Sequence, residues 1–244
     1  MKKFLVVGGA NGIGLAITHE LSLSDDIEKI YVVDKQPFPD KYKTEKIEAT
    51  EFDLLSNDYD IFNTYSDING LILTAGFGKL ALFEDVDEKY IVNSFNVNTL
   101  STIRIIKQFY YKMIQKEDFY CAVMVSISGF MSSPFFAIYG STKAALKVFI
   151  ESVNVELEKK GTTNRILNIS PGQIKGTSFA DGKTKIKIIL PLAREIIHRM
   201  FHKEDLFIPL YDEIFKEVLQ RYHDDFRAEG RHSYEYKLQS GRVK

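Results

Sequence analysis

Short apolar runs alternate along the chain with longer segments whose apolar residues recur every three or four positions. Short apolar runs are typical of buried strands, and the longer spacing is typical of one helix face. Strands that alternate with helices predict βαβ units and a parallel sheet with right-handed crossovers. We therefore predict an α/β fold. The predicted strands are residues 4–7, 29–33, 47–52, 69–76, 121–125 and 165–169, and the predicted helices begin after Gly14 and span 85–116 and 142–160.

The pattern changes beyond residue 177. Residues 181–187 are polar and Lys-rich, which predicts a solvated mobile loop. Pro191 begins an amphipathic segment, a short apolar run follows, and residues 211–222 have the spacing of a second helix. In the polar tail, Tyr234, Tyr236 and Leu238 alternate with polar residues as in a short strand.

Composition restricts the possible classes of protein. With 244 residues, of which 45% are apolar and 27% charged, the chain fits one large α/β domain, residues 1–244. A net charge of −1 implies neither a nucleic-acid-binding surface nor a basic face for membrane binding, and no apolar run approaches the ~18 residues of a membrane span. The first apolar stretch breaks at Gly8, so a strand suits it better than a signal peptide. We expect a cytoplasmic protein, in which the single Cys121 is a core residue.

A glycine-rich turn, GGANGIG at residues 8–14, follows the first strand and opens the first helix. Three glycines permit a tight turn, close approach of a pyrophosphate, and close packing of helix on strand. The helix N-terminus would supply N–H groups to the phosphates. The spacing is G-x-x-x-G-x-G, so the G-x-G-x-x-G fingerprint does not transfer unchanged.

Asp34 ends the second strand, twenty residues past Gly14. A carboxylate there accepts both adenosine ribose hydroxyls and repels a 2′-phosphate, which favours NAD(H) over NADP(H). The simpler alternative is a solvated Asp at a strand end. Lys35 follows at once and leaves NADP(H) open, because its ammonium can meet a 2′-phosphate.

Tyr139 and Lys143 are four positions apart and would share one helix face. A nearby ammonium stabilises a phenolate, so Lys143 would lower the pKa of Tyr139 towards a range useful for proton transfer. Ser126, thirteen positions before the Tyr, would offer a hydroxyl to the same substrate oxygen. The Tyr-x-x-x-Lys pattern alone is common, so the hypothesis depends on the other motifs.

Taken in order, these motifs resemble the short-chain dehydrogenase/reductase family over residues 4–177. The turn at 7–14, Asp53, the turn at 73–76 and the Pro171-Gly172 pair match the family's motifs, as do Asn98, Tyr139 and Lys143. The resemblance implies catalytic roles for Ser126, Asn98, Tyr139 and Lys143. It implies cofactor contacts from Gly8, Asn11, Gly12, Ile13, Gly14, Asp34, Asp53, Leu54, Ala75, Gly76, Tyr139, Lys143, Pro171, Gly172, Ile174 and Thr177.

Ser126 and Ser128 both lie near the expected serine position. The family places this serine thirteen residues before the Tyr, with a Gly three residues after the serine. Ser126 satisfies both conditions through Gly129, whereas Ser128 would need a shortened loop. We choose Ser126.

The chain departs from the family's pattern at Val7, Leu73, Thr74 and Ser101. The first three replace residues that brace loops or approach the adenosine. We expect altered loop bracing and weaker cofactor affinity rather than lost chemistry. A helix tolerates the Ser at position 101.

The resemblance implies a Rossmann-type doubly wound sheet in three αβα layers, with a helical substrate lid at residues 178–222. It also implies an NAD(P)-dependent oxidoreductase that interconverts a carbonyl and a secondary alcohol, with Tyr139 as general acid/base. Apolar lid residues such as Phe179, Ile186 and Ile189 either line a pocket for an apolar substrate or pack the lid on the core. We expect a small-molecule substrate, and a homodimer or homotetramer that pairs through the long helices.

Three alternatives remain at this point. The departures motivate a cofactor-binding sensor or scaffold with little turnover. A sugar-nucleotide epimerase or dehydratase shares Tyr-x-x-x-Lys but usually has a larger C-terminal domain. Glu195, His198 and His202 have metal-ligand spacing on one helix, but an amphipathic surface helix explains them better, and we predict no metal site.

Overall fold

The computed structural model describes residues 1–177, 179, 182–240 and 243. Within this part of the chain, one parallel sheet of seven strands has the order β3-β2-β1-β4-β5-β6-β7. The strands are β1 (Lys2–Val7), β2 (Ile27–Asp34), β3 (Ile47–Glu51), β4 (Gly70–Leu73), β5 (Tyr120–Met124), β6 (Ile166–Ile169) and β7 (Leu206–Phe207).

Seven α-helices accompany the sheet in the described residues. They are α1 (Gly12–Ser22), α2 (Glu88–Phe95), α3 (Ser101–Met113), α4 (Ala137–Lys159), α5 (Ile186–Phe201), α6 (Lys216–Asp224) and α7 (Phe226–Gln239). A wider π-type turn at 96–100 joins α2 to α3, and another at 211–215 leads into α6.

Two apolar clusters separate the sheet from its helices. One joins alternate side chains of the strands to α1 and α5. The other joins the opposite strand faces to α3 and α4. Strands covered on both faces need apolar residues at nearly every position, as in β4, where all four residues are buried. The predicted doubly wound, three-layer αβα fold is confirmed.

The direction of winding reverses between β1 and β4, which pair in parallel with Val7 opposite Leu73. From β1 the chain moves outward to β2 and β3, then returns to β4 and continues to β7. Such a reversal leaves a crevice at the carboxyl ends of the two central strands, where ligands of this fold class bind. The glycine-rich turn and the turn after β4 face this crevice.

The C-terminal third differs most from expectation. The helix expected to begin at Pro191 begins at Ile186, because Ile186 and Ile189 are buried against the sheet and α1. Pro191 therefore lies inside α5. The loop expected at 181–187 is shorter than predicted, because residues 186 and 187 belong to α5. Ser178, Ala180 and Asp181 lie outside the described residues.

The predicted strand in the tail is wrong, because residues 226–239 form the helix α7. The Asp225 carboxylate caps α7 by accepting from the backbone N–H groups of Arg227 and Ala228 at 2.9 and 3.0 Å. The inward face of α7 includes Glu229 and Lys237, which are both 8% exposed. A helix whose buried stripe is polar leaves no hydrophobic periodicity in the sequence.

In the described residues, no helix has both the length and the apolar character needed to cross a membrane.

Candidate active site

A cavity of about 1150 Å³ lies at the carboxyl edge of the sheet, where the winding reverses. Every residue predicted for catalysis or cofactor binding lines this cavity except Asn98, which is fully buried beside it. Residues up to 170 positions apart in sequence are thus brought to one place.

The glycine-rich turn passes too close to its neighbours to carry side chains. A Cβ at Gly8, whose φ is +86°, would lie 2.5 Å from the Ala75 backbone nitrogen, and one at Gly14 would lie 2.1 Å from the Gly8 carbonyl oxygen. The Thr74 hydroxyl lies 3.1 Å from the carbonyl oxygens of both Val7 and Gly8, and shares its proton between them. Thr74 therefore braces the turn at a position where the chain departs from the family's usual Asn.

The N-terminus of α1 points into the cavity, and two side chains meet its first N–H. The Asn11 carboxamide oxygen accepts from the Gly12 backbone at 2.8 Å, and the Thr184 hydroxyl oxygen accepts from the same N–H at 3.1 Å. Asn11 and Thr184 also hydrogen-bond to each other. Thr184 is a contact that sequence reasoning missed, since no motif links it to residues more than 170 positions away.

Asp34 lies at the end of β2, beside the turn. Its carboxylate accepts from the backbone N–H groups of Ala10 and Gln36, each at 3.0 Å. Asp53, after β3, accepts from the Leu55 backbone at 2.9 Å. A glycine cradle, a helix N-terminus and an acidic group at a strand end are the parts that bind a dinucleotide, so this region fits a nicotinamide dinucleotide.

Tyr139 lies in the first turn of α4, and Ser126 lies two residues after the end of β5. Ser126 lies close enough to Tyr139 for its side chain to lower the pKa of the phenol, and its hydroxyl donates to the Pro171 carbonyl at 3.5 Å. The Ser128 backbone N–H donates to the Ser126 oxygen at 3.2 Å, so position 128 orients the serine through its backbone. The geometry thus pairs Tyr139 with Ser126 rather than with Ser128.

Burial raises the pKa of Tyr139 to about 12, and the neighbouring Ser126 side chain offsets this only in part. The lowering expected from Lys143 is therefore not reached in this structure. The reason is that a phenolate loses more solvation in this site than the neighbouring groups restore.

Lys143, one turn further along α4, is only 2% exposed. Its Nζ donates to the Met124 carbonyl at the end of β5 at 2.8 Å, and lies 5.7 Å from the centroid of the Tyr139 ring. Burial lowers the pKa of Lys143 to about 7. The side chain can therefore exchange a proton near neutral pH.

Asn98 lies in the π-type turn between α2 and α3. Its carboxamide accepts from the Phe77 backbone N–H at 2.9 Å and donates to the Phe77 carbonyl at 2.8 Å. It also donates to the Thr142 hydroxyl at 3.2 Å. A Cβ at Gly76 would lie 3.3 Å from the Asn98 oxygen and 3.4 Å from the Lys143 nitrogen. Asn98 therefore fixes the backbone beside Lys143.

Two aromatic rings lie next to Tyr139 in the cavity. The ring of Phe136 is 5.3 Å from that of Tyr139, and the ring of Phe179 is 5.6 Å from it. Apolar residues from the stretch before and within α6 continue this wall. They are Ile214, Phe215 and Val218.

A further, polar part of the lining comes from α6, most of which lies in the expected lid, and from α7, which sequence reasoning did not connect to the site. Arg221 donates through Nε to the buried Glu229 carboxylate at 2.7 Å. The side chains added by α7 are Glu229, His232, Ser233, Tyr236 and Lys237.

Several expected lid residues lie elsewhere. Ile186 and Ile189 belong to the core cluster with α1, which favours the packing explanation for them. Glu195 pairs with Arg199 at 2.9 Å, and the rings of His198 and His202 are 4.1 Å apart. Among the described residues, no three His, Cys, Asp or Glu side chains come together as a metal site would require.

Comparison with known proteins agrees with the motifs. The short chain dehydrogenase family model matches residues 2–186, about three quarters of the chain. The chain belongs to the short-chain dehydrogenase family. Dehydrogenase RED2 of Cochliobolus heterostrophus is 29% identical over 175 residues, which cover 66% of this chain and 63% of RED2. Uncharacterized oxidoreductase TDA5 of Saccharomyces cerevisiae is 24% identical over 77% of this chain and 60% of TDA5, so the chain spans about three fifths of these relatives.

Solved structures show the same fold. A short-chain dehydrogenase from Streptomyces avermitilis superposes with a TM-score of 0.77 and 18% identity, over 98% of this chain and 100% of that one. One from Burkholderia cenocepacia, in complex with NADP, gives a TM-score of 0.75 and 18% identity over 95% and 97%. At such identities the likeness concerns the fold.

The buried Lys143 predicts a pH-dependent stability. Its pKa is about 7 in the folded protein against an ordinary 10.5 in the unfolded chain. Between these values the unfolded chain holds the proton and the folded protein does not, so stability rises with pH from about 7 to about 10. At pH 7 and below, the cost of burying the ammonium is fully present. Lys143→Met should therefore be more stable than wild type at pH 6, by about 1–4 kcal/mol, and this gain should shrink by pH 9.5.

Urea unfolding at pH 6, 7, 8 and 9.5 measures this difference. Lys147→Met, at an ion-paired position on the same helix, is the control. A Lys143→Met gain that stayed constant across the range would contradict the argument.

Proposed function

We propose that this protein is an NAD(P)-dependent oxidoreductase that interconverts a carbonyl and a secondary alcohol. The observation that carries the proposal is the position of Ser126 beside the Tyr139 phenol, with the buried Lys143 one helical turn further along the same helix. All three face the cavity that also contains the glycine-rich turn. Two hydroxyls and an ammonium at one point suit proton transfer to a single substrate oxygen.

Each side chain has a distinct task in this proposal. Tyr139 gives its proton to the substrate oxygen in carbonyl reduction and takes it back in alcohol oxidation. Ser126 orients that oxygen through its hydroxyl. Lys143 stabilises the phenolate when its own amine is protonated, which its pKa of about 7 allows near neutral pH. Asn98 holds the backbone beside Lys143 and would hold a water that links Lys143 to solvent.

The nicotinamide cofactor, when bound, supplies or accepts the hydride. The glycine-rich turn and the α1 N-terminus would hold its phosphates, Asp34 its adenosine ribose, and Asp53 with Leu54 its adenine. Pro171, Gly172, Ile174 and Thr177, which line the cavity near Tyr139, would hold the nicotinamide side.

Tyr139→Phe is expected to lower turnover by about 10²–10⁴-fold, because it removes the proton donor. Affinity for the reduced cofactor should stay within about twofold, since the ring remains. Steady-state rates with ketones and secondary alcohols, together with cofactor fluorescence titration, measure the two effects. Tyr111→Phe, at an exposed site on α3, is the control. Unreduced turnover in Tyr139→Phe would refute the assignment, and absence of turnover in wild type would favour a sensor.

We propose NAD(H) as the favoured cofactor. The Asp34 carboxylate, held by two backbone N–H groups, would meet the ribose hydroxyls of NAD(H) and repel the 2′-phosphate of NADP(H). Lys35 beside it leaves NADP(H) as the second candidate. A structure of similar fold and 18% identity holds NADP, which supports NADP(H) as that second candidate.

Wild type is expected to bind NADH at least about tenfold more tightly than NADPH, because the Asp34 carboxylate would repel the 2′-phosphate of NADPH. Asp34→Asn should reduce that ratio, whereas Lys35→Ala should preserve or increase it. Calorimetric titration with both cofactors gives the ratios. Tighter binding of NADPH by the wild type would reverse the proposed preference.

We propose a substrate with an apolar part beside its carbonyl. The aromatic rings of Phe136 and Phe179 next to Tyr139 support this, as do the apolar residues at 214–218. Phe179 and residues 214–218 are therefore the parts of the expected lid at 178–222 that would cover the substrate.

We further propose a homodimer or homotetramer. Val148 and Val155 are 58% and 57% exposed and lie seven residues apart on one face of α4. Solution scattering at micromolar concentration should give a dimer or tetramer, and Val155→Lys should shift it towards monomer. Lys159→Ala, near the end of the same helix, is a control. A monodisperse wild-type monomer would remove the proposal.

A further inference from the structure

Lys237, near the end of α7, is only 8% exposed although it carries an ammonium group. Its Nζ donates to the Ser133 hydroxyl at 2.7 Å, the Pro134 carbonyl at 2.8 Å and the Ser233 hydroxyl at 3.1 Å. An ammonium has three N–H donors, and these contacts give each one an acceptor. Burying a charge is costly unless it is hydrogen-bonded, so a complete set of acceptors marks a specific contact.

Two of these acceptors belong to residues 130–136, which we name the catalytic loop because it leads directly into α4 and Tyr139. Phe135 in this loop has a φ of +67°, which is unfavourable for a bulky side chain. Its ring stacks on Tyr234 of α7 at 4.5 Å. The last helix therefore holds the catalytic loop both at Ser133–Pro134 and at its strained residue.

The contact continues to the reacting groups. Phe136 follows the strained residue, and its ring lies 5.3 Å from that of Tyr139 and 6.2 Å from that of Phe179. The Lys237 Nζ lies 5.6 Å from the centroid of the Phe136 ring. One side chain, Phe136, thus separates the ammonium from Tyr139.

We propose that Lys237 is a positioning residue for the reaction proposed above. Its ammonium fixes the catalytic loop against α7, and thereby fixes Phe136 beside Tyr139 and the wall that the substrate meets. This inference rests on the proposed function. Lys237 acts through the loop and does not touch the reacting atoms.

The test compares Lys237→Met, Lys237→Arg and wild type, with Glu235→Gln on the exposed side of α7 as the matched control. Hydrogen exchange of the full chain without ligand should rise at least about tenfold in the catalytic loop of Lys237→Met and stay unchanged in the glycine-rich turn. NADH affinity should stay within about twofold. With a ketone that wild type reduces, kcat should fall about 10–100-fold while KM changes less. Lys237→Arg, which keeps charge and donors, should recover much of the rate.

Several results would overturn the inference. Unchanged exchange in the catalytic loop would remove the anchor, and faster exchange with an unchanged kcat would remove its role in positioning. Failure of Lys237→Arg to recover any rate would also count against it. If Lys237→Met fails to fold, Ser133→Ala removes one acceptor and should raise loop exchange and lower kcat to a smaller degree. If wild type reduces no ketone, the proposed function fails, whereas loop exchange still decides whether the anchor exists.

Discussion

The reversal of winding between β1 and β4 is the constraint on which the site depends. Two neighbouring parallel strands whose connections leave in opposite directions cannot be covered by a helix at their carboxyl ends. The turns that follow Val7 and Leu73 therefore face each other across an open crevice. They approach so closely that Gly8 and Gly14 leave no room for a Cβ, and the Thr74 hydroxyl joins them. The close approach of these two turns follows from the sheet topology.

Burial then sets the chemistry at this edge. Tyr139 and Lys143 lie where β5 ends, under the polar and aromatic walls of the cavity, and both lose solvent. Low polarity favours the neutral form of each, so the pKa of the phenol rises to about 12 and that of the ammonium falls to about 7. The pair is held in a state with little charge, and a nearby cation or a polarised substrate oxygen has a large effect in such surroundings.

Sequence reasoning predicted those parts of the molecule whose physical cause is local. Apolar runs defined β1, β2, β4, β5 and β6 to within two or three residues, and glycines followed by a helical pattern indicated the crevice. Altered bracing was expected at position 74, and the structure shows its form, because the Thr74 hydroxyl joins the two turns. The pKa of Tyr139 could not be predicted either, because it depends on how deeply non-local elements bury the ring.

The contacts of α7 show why the rest of the site could not be predicted from the sequence. The inward stripe of α7 consists of Glu229, Gly230, Ser233, Tyr234 and Lys237, which has perfect helical spacing but is mostly polar. A polar stripe is buried only where its partners are already in place. Here they are Arg221, on the preceding helix, and Ser133 and Pro134, from a distant part of the chain. Because such pairings give no hydrophobic periodicity, they cannot be predicted from the pattern of apolar residues in the sequence. They nevertheless specify one docking of the helix more narrowly than apolar contacts would, since each donor must meet its own acceptor.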